Sequence, residues 1–270
     1  MVNKGFEFSI SSKNFRGGAF TWDTDFNISF NRNKLTKLEL QKVYYDAKTA
    51  DVVNDYVVRN EPGRALGGFY GYISDGVDPE TGELMYRDLN HDGKISSSDR
   101  TYIGDPNPDI YGNFNLNFRW RDLELGALFT YSLGNDAYNA LRANLESGNS
   151  LSNQSIAMEN RWMADGQMTD IPRATYDDPM GNARFSDRWI EDASYLKFKR
   201  LMLSYRVPVR STSFLQGVSV WAAVNNLCTL TKYLGTDPEF SYNQSVLYQG
   251  VDAGLTPQSR SFQIGVKLNL

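Results

Sequence analysis

The chain predicts an all-β, antiparallel fold, a transmembrane β-barrel segment of about eight strands with long extracellular loops. Three observations carry that expectation. Residues Gly112 to Tyr131 read as two strands folded about Arg121-Asp122, so that Trp120, Phe118, Leu116 and Phe114 oppose Leu123, Leu125, Ala127 and Phe129 on one face. The same alternation runs through Phe20, Trp22, Thr24, Phe26, Ile28 and Phe30, an 11-residue stretch of the length a tilted strand needs to cross a bilayer. It returns in Phe262, Ile264, Val266, Leu268 and Leu270, and across these four strands the apolar face has 20 positions and no charge. At 22% charged residues, chance would place about four there. Each midplane Lys or Arg would cost roughly 2–4 kcal/mol in a bilayer, a sufficient reason for the exclusion.

In chain order, strands are predicted at Gly5 to Ser12, Ala19 to Asn31, Leu66 to Ile73, Tyr111 to Trp120, Leu123 to Ser132, Ser194 to Val207, Val218 to Leu227 and Ser261 to Leu270. Arg121-Asp122 is a minimal connection and Pro208 to Gly217 a short one, whereas Gly134 to Ala193 and Thr229 to Arg260 are long. Short and long alternate when one rim faces the periplasm and the other the outside. In the strand near Tyr195, Leu196 and Phe198 hold one parity and Leu201, Leu203, Tyr205 and Val207 the other. A β-bulge at Lys199-Arg200 would restore a single apolar face; the alternative is that Leu196 and Phe198 belong to the rim. Within the loop 134–193, Ala137 to Leu145 and Ser155 to Trp162 have helical character. Its Trp162, Tyr176 and Trp189 either stack on sugars, close a mouth or pack the loop against itself.

The 270 residues carry a net charge of -4 with a pI near 5.2, and no basic cluster of the kind that neutralises nucleic-acid phosphates. Nucleic acid is therefore not an expected partner. The single cysteine, Cys228, excludes an internal disulfide and reads as a small buried or lipid-facing side chain. Mean hydropathy is -0.48 and no run of 18 apolar residues exists, which rules out a helical span but leaves a barrel open, since half of each barrel strand is polar. Aromatics at 13% fit interfacial girdles and equally a carbohydrate-binding surface. No secretory leader precedes Gly5-Phe6-Glu7-Phe8-Ser9-Ile10, so either the chain is not exported or it is the tail of something longer.

Asp88 to Asp99 match a 12-residue calcium loop: Asp88, Asn90 and Asp92 are oxygen donors at the first, third and fifth places, Gly93 makes the turn, Lys94 offers its carbonyl and Asp99 closes. Ile95 is the usual apolar anchor. Asp99 stands where the strongest sites have a bidentate Glu, and its shorter arm leaves the choice of Ca²⁺ over Mg²⁺ open. The alternative is an Asx-rich turn without an ion. Turn-like flanks at 78–82 and 105–109 point to a staple for an exposed loop rather than a calcium sensor. His91, the sole histidine, sits at a non-donor place, so no catalytic role is assigned to it. Asp237-Pro238-Glu239 offers two carboxylates with nothing to fix their separation, and the chain is not expected to be an enzyme. Asn27-Ile28-Ser29, Asn153-Gln154-Ser155 and Asn243-Gln244-Ser245 fit a glycosylation pattern that polar stretches often meet by chance.

An ordered set of segments resembles the SusC/RagA-like TonB-linked outer membrane transporters. These are Phe26 to Lys34, Gly68 to Tyr72, the Asp88 to Asp99 loop, Tyr102 to Pro108 and Trp189 to Leu196, followed by Asn225 to Leu227, Thr231 to Glu239 and Pro257 to Phe262. The resemblance covers essentially residues 1–270 and implies the C-terminal part of a plugged barrel of about 22 strands, located in the cell outer membrane. It also implies uptake of oligosaccharides or peptides with a SusD-like surface lipoprotein at the mouth and the TonB complex engaged through a missing N-terminal part. Terminal Leu270 departs from the aromatic residue common in that family. Two other classes stand beside it. One is a soluble, calcium-stabilised β-sandwich that binds carbohydrate and buries its apolar face under a second sheet; the other is a glycoside hydrolase using loop carboxylates.

Overall fold

A computed structural model describes residues 1–38, 45–49, 53–209, 216–240 and 249–269. Seven long strands form one antiparallel sheet: β1 (Val2–Gly17), β2 (Phe20–Lys34), β9 (Ile110–Trp120), β10 (Leu123–Leu133), β13 (Tyr195–Val207), β14 (Gly217–Thr231) and β16 (Ser261–Asn269), side by side in that order. The other strands lie in the connections. They are β3 (Tyr45–Thr49), β4 (Val53–Asn60), β5 (Phe69–Gly71), β6 (Ser74–Val77), β7 (Leu84–Tyr86), β8 (Thr101–Gly104), β11 (Asp136–Asn139), β12 (Ile190–Asp192) and β15 (Val251–Asp252). Of the two stretches predicted as helical, Ala137 to Leu145 holds strand β11 up to Asn139 and then helix α1 (Ala140–Glu146), and Ser155 to Trp162 holds a 3₁₀ turn at Ile156–Asn160.

Registers carry the apolar parity unbroken across the sheet. Trp22, Phe118, Leu125, Leu203, Ala222 and Ile264 form one row, and Thr24, Leu116, Ala127, Leu201, Val224 and Phe262 the next. The following row is Ile10, Phe26, Phe114, Phe129, Phe198 and Cys228. In it Phe114 stacks on Phe129 at 4.5 Å and Phe129 on Phe198 at 4.4 Å between ring centroids. Among the described residues nothing covers this face: Phe6, Phe8, Ile10, Trp120 and Leu203 are exposed, and Ile264 on the edge strand reaches 83%. The β-sandwich alternative requires a second layer there, and the structure overturns it. Cys228 lies on this face and is exposed, as a lipid-facing residue would be in the absence of lipid.

The predicted bulge is present. Leu128 pairs with Arg200 and Phe129 with Phe198, so Lys199 is the extra residue, and Lys199 and Arg200 both turn to the polar face. On the facing strand β14, Phe198 pairs with Cys228 and Arg200 with Asn225, so β14 takes three steps where β13 takes two, and Asn226 adopts φ of 53° at this second irregularity. Phe198 and Leu196 therefore stay on the apolar face rather than retiring to the rim.

One predicted strand lies elsewhere than expected. The sheet has seven strands rather than about eight, because the segment predicted at Leu66 to Ile73 yields only β5, which joins β3, β4 and β8 in a separate four-stranded sheet. Its period is wrong for a membrane strand: Gly71 is needed where a Cβ would come within 2.8 Å of Phe185 and Ile103, in a packed interior. As expected of a barrel segment, the sheet is open, with β1 and β16 as its two edges. Residues 35–109 are in consequence a third long connection, and all three long connections leave the same rim, while Gly18-Ala19, Arg121-Asp122 and 208–216 turn at the other. Leu270 and Asn243 to Ser245 lie outside the described residues.

The buried apolar core sits among the long connections. Val57, Val58, Phe69, Tyr138, Ala140, Phe185, Trp189 and Val251 form it, drawn from all three loops. Strand β11 pairs with β12 and, in parallel, with β15, which ties the second loop to the third.

Gly112 is required on the apolar face. Tyr131 lies across it and donates its hydroxyl to the Asn27 carbonyl at 2.9 Å, and a Cβ at 112 would sit 2.1 Å from that carbonyl oxygen. Gly112→Ala should cost about 1–3 kcal/mol by overpacking. Gly18→Ala, at φ of 57° with open space around it, should cost only about 1–2 kcal/mol of backbone strain and leave Tyr131 in place. Urea midpoints of the detergent-held chain, with tyrosine fluorescence as the local probe, check this; an undisturbed Tyr131 signal in Gly112→Ala would contradict the packing described.

Candidate functional site

The face opposite the apolar rows is polar and meets the long loops at one end. Its rows include Asp25, Asn115, Leu128, Arg200, Asn225 and Ser261, then Asn27, Asn113, Thr130 and Lys197, then Ser29, Tyr111, Ser132 and Tyr195. At the loop end a cleft of about 590 Å³ opens between this wall and the loops, and amide side chains of Asn27, Asn31, Asn33, Asn107, Asn113 and Gln249 dominate it. A second cleft of about 360 Å³ shares Pro108, Ser132, Tyr195, Glu239 and Gln249 with the first and continues beneath the third loop. Such a surface offers many hydrogen-bond donors and acceptors and few free charges.

The third loop is pinned onto the wall by ions. Lys197, only 3% exposed at its side chain, donates to both carboxylate oxygens of Asp237 at 3.0 and 3.1 Å and to Glu239 at 2.9 Å. Lys199, placed on this face by the bulge, donates to Glu239 at 2.8 Å and to the Gln258 side chain at 2.9 Å. Burial opposes ionisation of Glu239, but the hydrogen bonds from Lys197 and Lys199 outweigh it and hold its carboxyl below the ordinary value. Asp237 and Glu239, the two carboxylates weighed for hydrolysis, are thus spent on lysines. The sequence carried a usable signal for this pairing, a Lys-x-Lys on the polar parity at the bulge. It was missed because the partners are 40 residues apart.

Two further buried networks hold the loops together. Tyr233 donates to Asp252 at 2.6 Å, and burial together with that carboxylate pushes its phenol far up; Asp252 also accepts from the Gly254 N–H at 2.8 Å. Arg142 on α1 bridges Glu146 and Glu191 at 2.9 and 3.0 Å. Of the three loop aromatics, Trp189 is in the core, Trp162 donates its indole N–H to the Pro79 carbonyl at 2.9 Å, and Tyr176 is exposed.

The acidic loop joins β7 to β8. Asp88 accepts from the N–H of His91 at 2.7 Å and of Gly93 at 2.8 Å, Asn90 accepts from Asp92 N–H at 3.0 Å, and Asp92 accepts from Lys94 N–H at 2.8 Å. Gly93 supplies the positive φ of 78° that the turn needs. Asp99 is fully buried and caps a 3₁₀ turn (Ser97–Asp99) by accepting from the Ser96 N–H at 2.8 Å, while its other oxygen accepts from the Leu89 N–H at 3.0 Å. The Ser96 N–H first, with those of Leu89 and Asn90, holds the Asp99 carboxyl below its ordinary range. The five expected donors lie along this one turn; the side-chain oxygens of Asp88, Asn90 and Asp92 keep lone pairs for a hard cation, whereas Asp99 already accepts from Leu89, Asn90 and twice from Ser96, one of which an ion would displace. Among the described residues no group of three His, Cys, Asp or Glu side chains is gathered as a metal holder, so any ion would rely on the Asn90 amide and the Lys94 carbonyl as well.

No family model matches the chain. Curated relatives do, over nearly all of it: TonB-dependent receptor P3 of Formosa agariphila is 32% identical across 99% of this chain and 28% of its own length. SusC of Bacteroides thetaiotaomicron, also a TonB-dependent receptor, is 29% identical across 99% of this chain and 26% of its own. The solved RagAB peptide transporter superposes with a TM-score of 0.81 at 25% identity, over 98% of this chain and 29% of the transporter chain. The sheet matches the wall of TonB-dependent receptors of the SusC/RagA kind. A closed-state structure described as the RagAB peptide importer gives a TM-score of 0.82 at 26% identity. The chain spans under a third of the length of each of these receptors.

A depressed carboxyl contributes stability that is present above its unfolded value, ordinarily 4.5 for Glu239, and is lost as pH falls through the lower folded value. Acidification below about pH 4.5 should therefore loosen the third loop, read as rising proteolytic cleavage near 232–240. Glu239→Gln should be cleaved readily at pH 7 and should lose that acid step; an unchanged pH profile in the variant would contradict the clamp.

Proposed function

We propose that the chain supplies part of the wall and the extracellular loops of an outer membrane TonB-dependent importer, as the C-terminal part of a SusC-like receptor. The single observation that carries this is the seven-stranded sheet whose uncovered face bears a charge-free apolar band while its opposite face is polar and continuous with large loops. Hydrocarbon accepts the first face and a water-filled passage the second. The ten steps along β2 from Phe20 to Phe30 rise about 33 Å, or about 25 Å along the membrane normal at a tilt near 40°, which matches the apolar band of such barrels.

The rest of the receptor would provide the plug and the contact with the TonB complex. A SusD-like surface lipoprotein would close the mouth above the long loops. The cargo is an oligosaccharide or a peptide, taken up by the amide-lined cleft as it passes the wall. The description of the solved relatives as a peptide transporter supports the second class, and the relationship to SusC keeps the first. No catalytic role is proposed, because the loop carboxylates Asp237 and Glu239 are engaged by lysines.

We further propose that the loop of Asp88, Asn90, Asp92, Lys94 and Asp99 binds Ca²⁺, or Mg²⁺ in its place, and staples the first long connection. Asp88 and Asp92 would supply charge, Asn90 and the Lys94 carbonyl neutral oxygens, and Asp99 the closing carboxylate.

Two measurements test these proposals. Leu116→Arg, mid-strand on the apolar face, should cost about 2–4 kcal/mol in a bilayer, whereas its neighbour Asn117→Arg on the polar face should change stability by less than about 0.5 kcal/mol. The chain should partition with outer membranes and dissolve only in detergent; a monodisperse soluble form in plain buffer, or equal costs for both variants, would overturn the assignment. For the metal, calorimetric titration with Ca²⁺ and with Mg²⁺ should give heats that vanish in Asp92→Ala, and equal heats in both proteins would remove it.

A further inference from the structure

Along the seven strands, the parity that carries the apolar rows holds three cations and no anion among the described residues, and all three are at one corner. They are Lys4 on β1 and Arg32 and Lys34 on β2; Lys4 and Arg32 are direct cross-strand partners. Lys4 and Arg32 lie immediately beyond Phe6 and Phe30, the last pair of these two strands that is apolar on both sides, and Lys34 lies one row further, opposite Val2. Like charges placed opposite one another in a sheet repel, so the pairing is unfavourable unless an anion sits between them. All three side chains are exposed, and among the described residues the carboxylate paired with this corner is Asp109, 3.7 Å from Arg32.

These residues border a groove of about 1010 Å³ on the outward side, floored by Phe6, Phe30 and Ile110 and overhung by Gly63 and Ala65 of the first long loop. Its lower part is apolar and its upper part cationic. We propose that this groove is a binding site for the phosphorylated headgroup of a lipid in the outer leaflet, with Lys4, Arg32 and Lys34 holding the phosphate and Phe6, Phe30 and Ile110 receiving the start of the acyl region. Charge complementarity selects the occupant. Lysine and arginine at a membrane rim bury their stems on apolar surface and present their charges at headgroup depth, where phosphate oxygens accept charge-assisted hydrogen bonds. The corner is at the rim of the long loops, which places it in the outer rather than the periplasmic leaflet. At the short-turn rim no strand residue of this parity is charged among the described residues, so the feature belongs to one side of the membrane.

The site rests on the membrane assignment made above, and its test separates the two. The chain held in neutral detergent is titrated with phosphatidic acid, with phosphatidylcholine and with inorganic phosphate, and bound lipid is counted by native mass spectrometry. Phosphatidic acid should be retained at least tenfold better than phosphatidylcholine, and inorganic phosphate should not compete at equal concentration. In the triple variant Lys4→Gln, Arg32→Gln, Lys34→Gln the preference should fall to within twofold while the β-sheet circular dichroism and detergent partition stay unchanged. Lys267→Gln, on the polar face of β16, should keep the full preference. Preference retained in the triple variant, an equal loss in Lys267→Gln, or full competition by inorganic phosphate would each overturn the lipid site with the membrane assignment intact. A chain that stays soluble and folded without detergent would overturn both.

Discussion

Hydrocarbon solvates neither a charge nor an unpaired peptide group, and the seven-stranded sheet answers both demands with one geometric rule. Antiparallel pairing satisfies the backbone from strand to strand, and the two-residue period then sends every second side chain to the same side. Once that side is charge-free along all seven strands up to the basic corner of β1 and β2, the opposite side must collect the asparagines, the carboxylates and the remaining lysines. The wall, the ionic clamp and the amide cleft follow from that sorting. Even the irregularities obey it: Lys199 and Asn226 interrupt the ladder where the sorting would otherwise fail.

The loops solve a different problem. They carry the only sizeable apolar core among the described residues, and it is assembled from three connections that are distant in sequence and adjacent in space. Long loops lose much conformational entropy on ordering, which the packing of Trp189, Phe69 and Val57 offsets together with the Tyr233–Asp252 and Arg142–Glu191 networks. The clamp from Lys197 and Lys199 to Asp237 and Glu239 is where this loop structure is fastened to the strand wall. A buried lysine with two carboxylate partners is worth more for fixing position than for net stability.

The membrane strands were legible in the sequence because their signal is local and periodic. Seven of eight predicted segments are in the sheet within a few residues, and the break of parity at Lys199 located the bulge. The eighth, Leu66 to Ile73, failed because a short apolar run with three glycines has no face to read, and its partners Phe185 and Ile103 are set by tertiary packing. The acidic loop was legible as a turn, since the spacing placed Gly93 where a positive φ is needed, whereas the capping of Ser96 by Asp99 emerged only from the structure. The clamp was not, because Lys197 and Asp237 are joined only after β14 returns. The basic corner escaped notice for a related reason: Lys4, Arg32 and Lys34 look like scattered surface charges until the β1–β2 register sets them side by side.

The irregularities at Lys199 and Asn226 behave as two dislocations of the same sign lying next to each other in a lattice. Between the pairs that flank them β10 takes one step, β13 two and β14 three, so the offset grows from strand to strand. Loss of one residue from β13 at this point would turn Tyr195 and Lys197 toward the apolar side and Leu196 and Phe198 toward the polar one, and no change in β14 would restore them. The length of β13 at the bulge is therefore fixed by the alternation within β13 itself.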